Sequence, residues 1–147
     1  MTNPPPWRYR CYVSEDQIDE IKASYDRQSK QWRQRFLDRT RALKGLPLAE
    51  WELPLFRWLR RDGTGLGEVR FKADGIQQRI LGFRGPDPDL FTLLSPAQEK
   101  NDTFIPRNAV EIAQRLKAAV ETNKDRSHEC WLFPDPKPEF PRRTPRR

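Results

Sequence analysis

The sequence is poor in the residues from which most enzyme sites are built. It has one histidine, His128, and two cysteines, Cys11 and Cys130, in 147 residues. A single imidazole leaves little scope for a histidine metal site or a Ser-His-Asp triad. Two cysteines this far apart match no metal-ligand spacing and are no evidence for a disulfide, so both read as free thiols. Gly63, Gly65 and Gly67 form a loose loop that fits no nucleotide fingerprint. No apolar run approaches the ~20 residues of a membrane span, and the opening MTNPPPWRYR lacks the apolar centre of a secretory signal. Internal repeats are absent too. The expectation from these absences is a cytoplasmic, single-domain protein with no metal and no small-molecule cofactor.

What the chain does have is positive charge. Lys plus Arg number 28 against 21 Asp plus Glu, a net +7 with a pI near 9.8, so a polyanionic partner is plausible and nucleic acid leads. The excess is uneven. Residues 57–84 hold Arg57, Arg60, Arg61, Arg70, Lys72, Arg79 and Arg84 against Asp62, Glu68 and Asp74, whereas residues 14–50 are nearly neutral.

The centre of that field is Leu66 to Phe83, LGEVRFKADGIQQRILGF. Glu68, Arg70 and Lys72 alternate with Val69, Phe71 and Ala73, which predicts a strand with charge on one face and apolar groups on the other. Asp74-Gly75 is the turn chemistry of a β-hairpin, and Arg79 on the returning strand comes close to the first strand's cations. Fixed guanidinium and ammonium groups on such a face suit an oxyanion or an RNA backbone. A solvated strand face would carry the same residues.

Around this hairpin the pattern predicts an α+β fold with a small antiparallel sheet: strand, two helices, β-hairpin, further strand, C-terminal helix. Trp7, Tyr9, Cys11 and Val13 alternate as a first strand. Ser14 reads as a helix N-cap with Gln17 in the capping-box position. Ile18, Ile21, Tyr25, Trp32, Phe36 and Leu43 make an apolar stripe that Gly45 and Pro47 end, and the stripe reads as core. Trp51, Phe56 and Trp58 beside Arg57, Arg60 and Arg61 either stack bases or pack beneath the sheet. Leu90–Leu94 reads as the further strand, and a helix after Pro106 carries Ala109, Ile112, Ala113, Leu116 and Val120 on one stripe. Residues 1–6 are expected to be a flexible lead, residues 7–124 the domain, and residues 125–147 an extended, disordered Pro/Arg-rich tail.

Taken in order, these segments resemble the RelE/HigB branch of bacterial toxin–antitoxin toxins, in particular the phage-derived HigB-like group. The likeness covers about residues 7–122. It rests on Gly65-Leu66-Gly67-Glu68-Val69-Arg70-Phe71, Gln78-Arg79-Ile80-Leu81-Gly82-Phe83, Phe91-Thr92-Leu93-Leu94, and Lys100, Thr103 and Pro106 followed by Glu111-Ile112-Ala113. The resemblance implies a metal-independent messenger-RNA endoribonuclease that acts in the ribosomal A site and is silenced by a cognate antitoxin. Such cleavage needs in-line attack by the 2′-hydroxyl, a base, cations for the charge on phosphate oxygens, and an acid for the leaving oxygen.

By residue, Arg70 and Arg79 are expected to hold the scissile phosphate, Lys72 to act as base, and Lys100 to contact phosphate or assist proton transfer. Arg57 and Arg84 would hold the RNA backbone. His128 stands where some relatives have a C-terminal catalytic side chain, or is simply solvated. Leu81 and Phe83 either receive an antitoxin helix or lie under the C-terminal segment. The competing readings are a gyrase-poisoning toxin like the ParE branch, which acts without catalysis, and a basic RNA-binding phage accessory protein.

Overall fold

Asp74 and Gly75 adopt φ of 54° and 75°, the left-handed pair that a two-residue hairpin turn of matching twist requires. A computed structural model describes residues 7–59 and 64–133 of the chain. In it the turn joins β3 (Leu66–Ala73) to β4 (Ile76–Arg84) in unbroken antiparallel register from Leu66↔Phe83 to Ala73↔Ile76. The other elements are β1 (Arg8–Tyr12), α1 (Glu20–Arg27), α2 (Lys30–Lys44), β2 (Phe56–Trp58), β5 (Leu90–Lys100), β6 (Thr103–Ile105), α3 (Ala109–Thr122) and β7 (Ser127–Glu129). The strands form one sheet in the order β2-β3-β4-β5-β1-β7, with β6 paired to β5. All pairings are antiparallel except β1 with β5. This is the expected α+β class with a larger sheet.

Strand alternation gives the sheet two differently filled faces. On one, Val69, Phe71, Ile80 and Phe91 meet Trp32, Phe36 and Leu43 of α2 together with Trp7, Tyr9, Trp51 and Phe56. Phe36 is fully buried, its ring 5.1 Å from Trp32, so truncating it to Ala would cost roughly 3–5 kcal/mol. On the other, Leu66, Leu81, Phe83, Leu94 and Ala97 lie under Ala109, Ala113 and Val120 of α3. Leu81 and Phe83 are therefore buried beneath the C-terminal helix, one of the two alternatives for them. Trp51 and Phe56 pack in the core, and Trp58 is the partly exposed member of the three.

Four local expectations need correction. Ser14 does accept a backbone N–H, but from Ile18 in a turn; Asp19 is the N-cap of α1, accepting from Lys22. Ile18, expected at the head of the core stripe, lies before α1 and is 47% exposed, while Ser29 caps α2 and makes the rest of the stripe the two helices expected. β5 runs to Lys100 rather than stopping at Leu94. Pro96 pairs with Ile80 of β4 and falls between the β5 residues paired with β1 and those paired with β6.

The fourth correction concerns the C-terminal part. The chain does not become an extended tail at residue 125: Ser127–Glu129 pairs with β1, with His128 opposite Cys11. That pairing carries Cys130 to Cys11, and the two form a disulfide across a sequence separation of 119 residues, so they are not free thiols. Phe133 then packs 4.9 Å from Tyr9. The expected lead at 1–6, Arg60 and Arg61, and the tail from residue 134 lie outside the described residues. No helix among the described residues is long and apolar enough to cross a membrane.

Candidate functional site

The face covered by α3 is apolar only over part of its length. Toward the β3–β4 turn the same alternation brings up polar residues in three cross-strand rows. Arg57, Glu68, Leu81 and Ser95 form the first, Arg70, Arg79 and Ala97 the second, and Lys72, Gln77, Glu99 and Phe104 the third. The cations of three adjacent strands thereby share one patch.

At its centre is a carboxylate. The Glu68 side chain is fully buried, and its Oε2 lies 3.3 Å from Arg57 Nη2 and 3.5 Å from Arg79 Nε while also accepting from Arg70 Nη1. Arg79 Nε donates to Glu99 Oε1 at 2.7 Å, and Arg79 Nη1 donates to the Gln78 carbonyl. Glu68 Oε1 is buried with no hydrogen-bond partner among the described residues. Three guanidiniums face two carboxylates, so the cluster keeps one net positive charge, and exposed Lys72 two residues beyond Arg70 adds another.

Exposure separates the roles open to these cations. Arg79 is 3% exposed and its guanidinium is taken up by Glu68, Glu99 and a carbonyl, so it cannot reach a phosphate as expected. Arg70 and Arg57 are 21% and 46% exposed. Each meets Glu68 through one named nitrogen, and a guanidinium has five N–H donors, so both retain donors for an outside anion. Glu68 and Glu99 are the members that the assignment of roles left out. The period-two alternation that placed Arg70 and Lys72 on one face places Glu68 there as well, and it was the available signal.

Three other expected residues lie elsewhere. Along β5, residues 95, 97 and 99 share the face of Arg79, so Lys100 falls on the opposite side at the strand end. Arg84 is also on the opposite face, five residues or roughly 17 Å along β4 from Arg79. It donates to the Pro88 carbonyl. His128 is on β7, with β5 and β1 between it and β4. Its Nε2 is 3.9 Å from the Asp19 carboxylate, which together with its strand pairing removes it from both the site and the tail.

Among the described residues no group of three His, Cys, Asp or Glu side chains is arranged to hold a metal. The arrangement can bind an anion at Arg57 and Arg70 with Lys72 alongside, on a base made rigid by Glu68, Arg79 and Glu99. No family model, no curated protein and no solved structure compared with the chain matches it.

Proposed function

We propose that the chain is an RNA endonuclease of the toxin type, cleaving messenger RNA by attack of a 2′-hydroxyl on the adjacent phosphorus. One observation carries the reading: guanidiniums from β2, β3 and β4 converge on the single buried carboxylate of Glu68, leaving Arg57 and Arg70 partly exposed beside exposed Lys72. Charge accumulates on phosphate oxygens in such a reaction, and donors fixed before the substrate arrives lower the barrier most. In this reading Arg70 and Arg57 hold the scissile phosphate. Lys72 meets the oxygen that gains or loses a proton. Arg79 is a positioning residue that acts through Glu68 and Glu99. Charge stabilisation comes from side chains alone, with no metal required, and a cognate antitoxin and the ribosomal A site are the proposed partners.

The occupied forks favour one other reading. Because Glu68 and Glu99 already engage the guanidiniums, the cluster could serve the fold while the protein poisons its target, such as gyrase, by surface contact. Mapping transcript ends after induction separates the two. New ends within messengers support cleavage. Whole transcripts accompanied by DNA breaks support the contact mechanism.

A further inference from the structure

Beside the arginine cluster, the first turns of α3, strand β6 and the end of β2 enclose a cleft of about 770 Å³. That volume is within the ~300–1,000 Å³ range of sites for nucleoside-sized ligands. Its apolar lining is Trp58, Leu59, Phe104 and Val110, and Arg107, Glu111 and Gln114 stand at its exposed rim. Phe104 is half-buried and pairs with Glu99, so it rises on the sheet face that carries the cluster. Arg57 and Glu99 belong to both places: each lines the cleft and each is bonded into the ionic cluster. Arg57 thus joins the exposed anion donors to the cleft.

We infer that the cleft is a nucleobase subsite of the same site, holding the base that flanks the scissile phosphate of a single-stranded RNA. The inference rests on the RNA reading above. Phe104 supplies the apolar surface on which a base stacks, and Arg107 the cation for the next phosphate. The remaining rim is rich in acceptors, because Glu99, Asp102 and Glu111 all border it. Carboxylates accept from exocyclic amino groups, so adenine, guanine and cytosine are favoured and uracil, which has none, binds worst.

The test uses the full chain with a set of short RNAs differing only at the base beside the cut, offered free and on programmed ribosomes. Uncleavable 2′-deoxy versions of the same oligonucleotides report binding by fluorescence anisotropy. Phe104→Ala should raise KM and weaken binding roughly tenfold with kcat changed less than about twofold, and Phe104→Trp should restore both. Glu111→Gln, an exposed position on α3 that folding tolerates, should flatten the discrimination against uracil. Cleavage and binding unaltered by Phe104→Ala and Glu111→Gln would overturn the subsite and leave the nuclease standing. Weakened binding by Phe104→Ala in a protein that never cuts would sustain the subsite and remove the catalysis. A wild-type chain that neither cuts nor binds RNA would remove both.

Discussion

Glu68 and Arg79 form a buried ion pair between neighbouring strands, Arg79 Nε lying 3.5 Å from Glu68 Oε2 with neither side chain more than 3% exposed. A carboxylate at this depth is tolerated because three guanidiniums surround it, and each guanidinium is held in place by it. Glu68→Gln removes the charge and keeps the shape, leaving Arg79 to Glu99 alone. The expected loss of stability is about 3 kcal/mol, read from the urea midpoint. Glu68→Met combined with Arg79→Met should lose less than the two single changes together, since the Glu68–Arg79 interaction is counted in each single change and lost only once in the double. Strict additivity would show that the pair is not coupled.

The Cys11–Cys130 disulfide ties β7 to β1 at the sheet edge remote from Arg70. Cys11→Ser with Cys130→Ser should lower stability by about 2–5 kcal/mol, seen as a fall in Tm that reductant reproduces in the wild type. Activity measured well below that Tm should persist, because β3 and β4 do not depend on the β7 edge. This matters for location. The cytoplasmic expectation was formed with both thiols free, and a disulfide persists in oxidising compartments and is rare in reduced cytosol. Mass spectrometry of the protein trapped with a thiol-alkylating reagent inside cells reads its oxidation state directly.

Gly82 has no room for a side chain. A Cβ there would come within 2.6 Å of the Phe91 ring and of the Thr92 carbonyl oxygen, and the second of these belongs to backbone. Gly82→Ala should therefore destabilise by about 1–3 kcal/mol, as overpacking does. Gly67→Ala forces the Phe56 ring to move, because a Cβ there would collide with its Cζ. Thermal unfolding that leaves Gly82→Ala level with wild type would contradict the packing described.

Burial raises the Tyr9 hydroxyl well above its ordinary pKa of 10.0, and the same hydroxyl donates to the Thr40 carbonyl at 2.9 Å. The folded state then keeps its proton where the unfolded chain loses it. The stabilising contribution is complete below about pH 10 and falls as pH rises further. Lys44, whose pKa burial lowers, works in the opposite direction. Comparison with Tyr9→Phe isolates the tyrosine: the variant should lose about 1 kcal/mol at neutral pH for the missing hydrogen bond and show a shallower alkaline decline. Equal alkaline slopes for the two proteins would show that Tyr9 is not protected.

Local chemistry explains what could be read from the sequence. The β3–β4 hairpin follows from alternation and Asp74-Gly75, and the C-terminal end of α2 follows from Gly45 and the apolar stripe, because each signal acts within a few residues. The disulfide depends on β7 pairing with β1 across the whole chain, and no local pattern encodes that meeting. The same limit applies to the site. Alternation placed Arg70 and Lys72 on one sheet face with Arg79 close by on the returning strand, whereas Arg57 joins them on β2, a strand the sequence pattern does not announce, and burial decides that Arg79 serves Glu68 and Glu99 instead of solvent. Lys100 and Arg84 shared the sign of the charge and not the side of the sheet.

The central claim is that the exposed donors of Arg70, with Lys72 beside it, act on RNA phosphate. Transcript ends mapped by primer extension after induced expression test it most directly, comparing wild type with Arg70→Ala and Lys72→Ala. The account predicts new ends within messengers for the wild type, lost by at least a hundredfold in Arg70→Ala as removal of one fixed charge donor does, with strong loss in Lys72→Ala. Messengers left whole by the wild type, or cut equally by both variants, would contradict it.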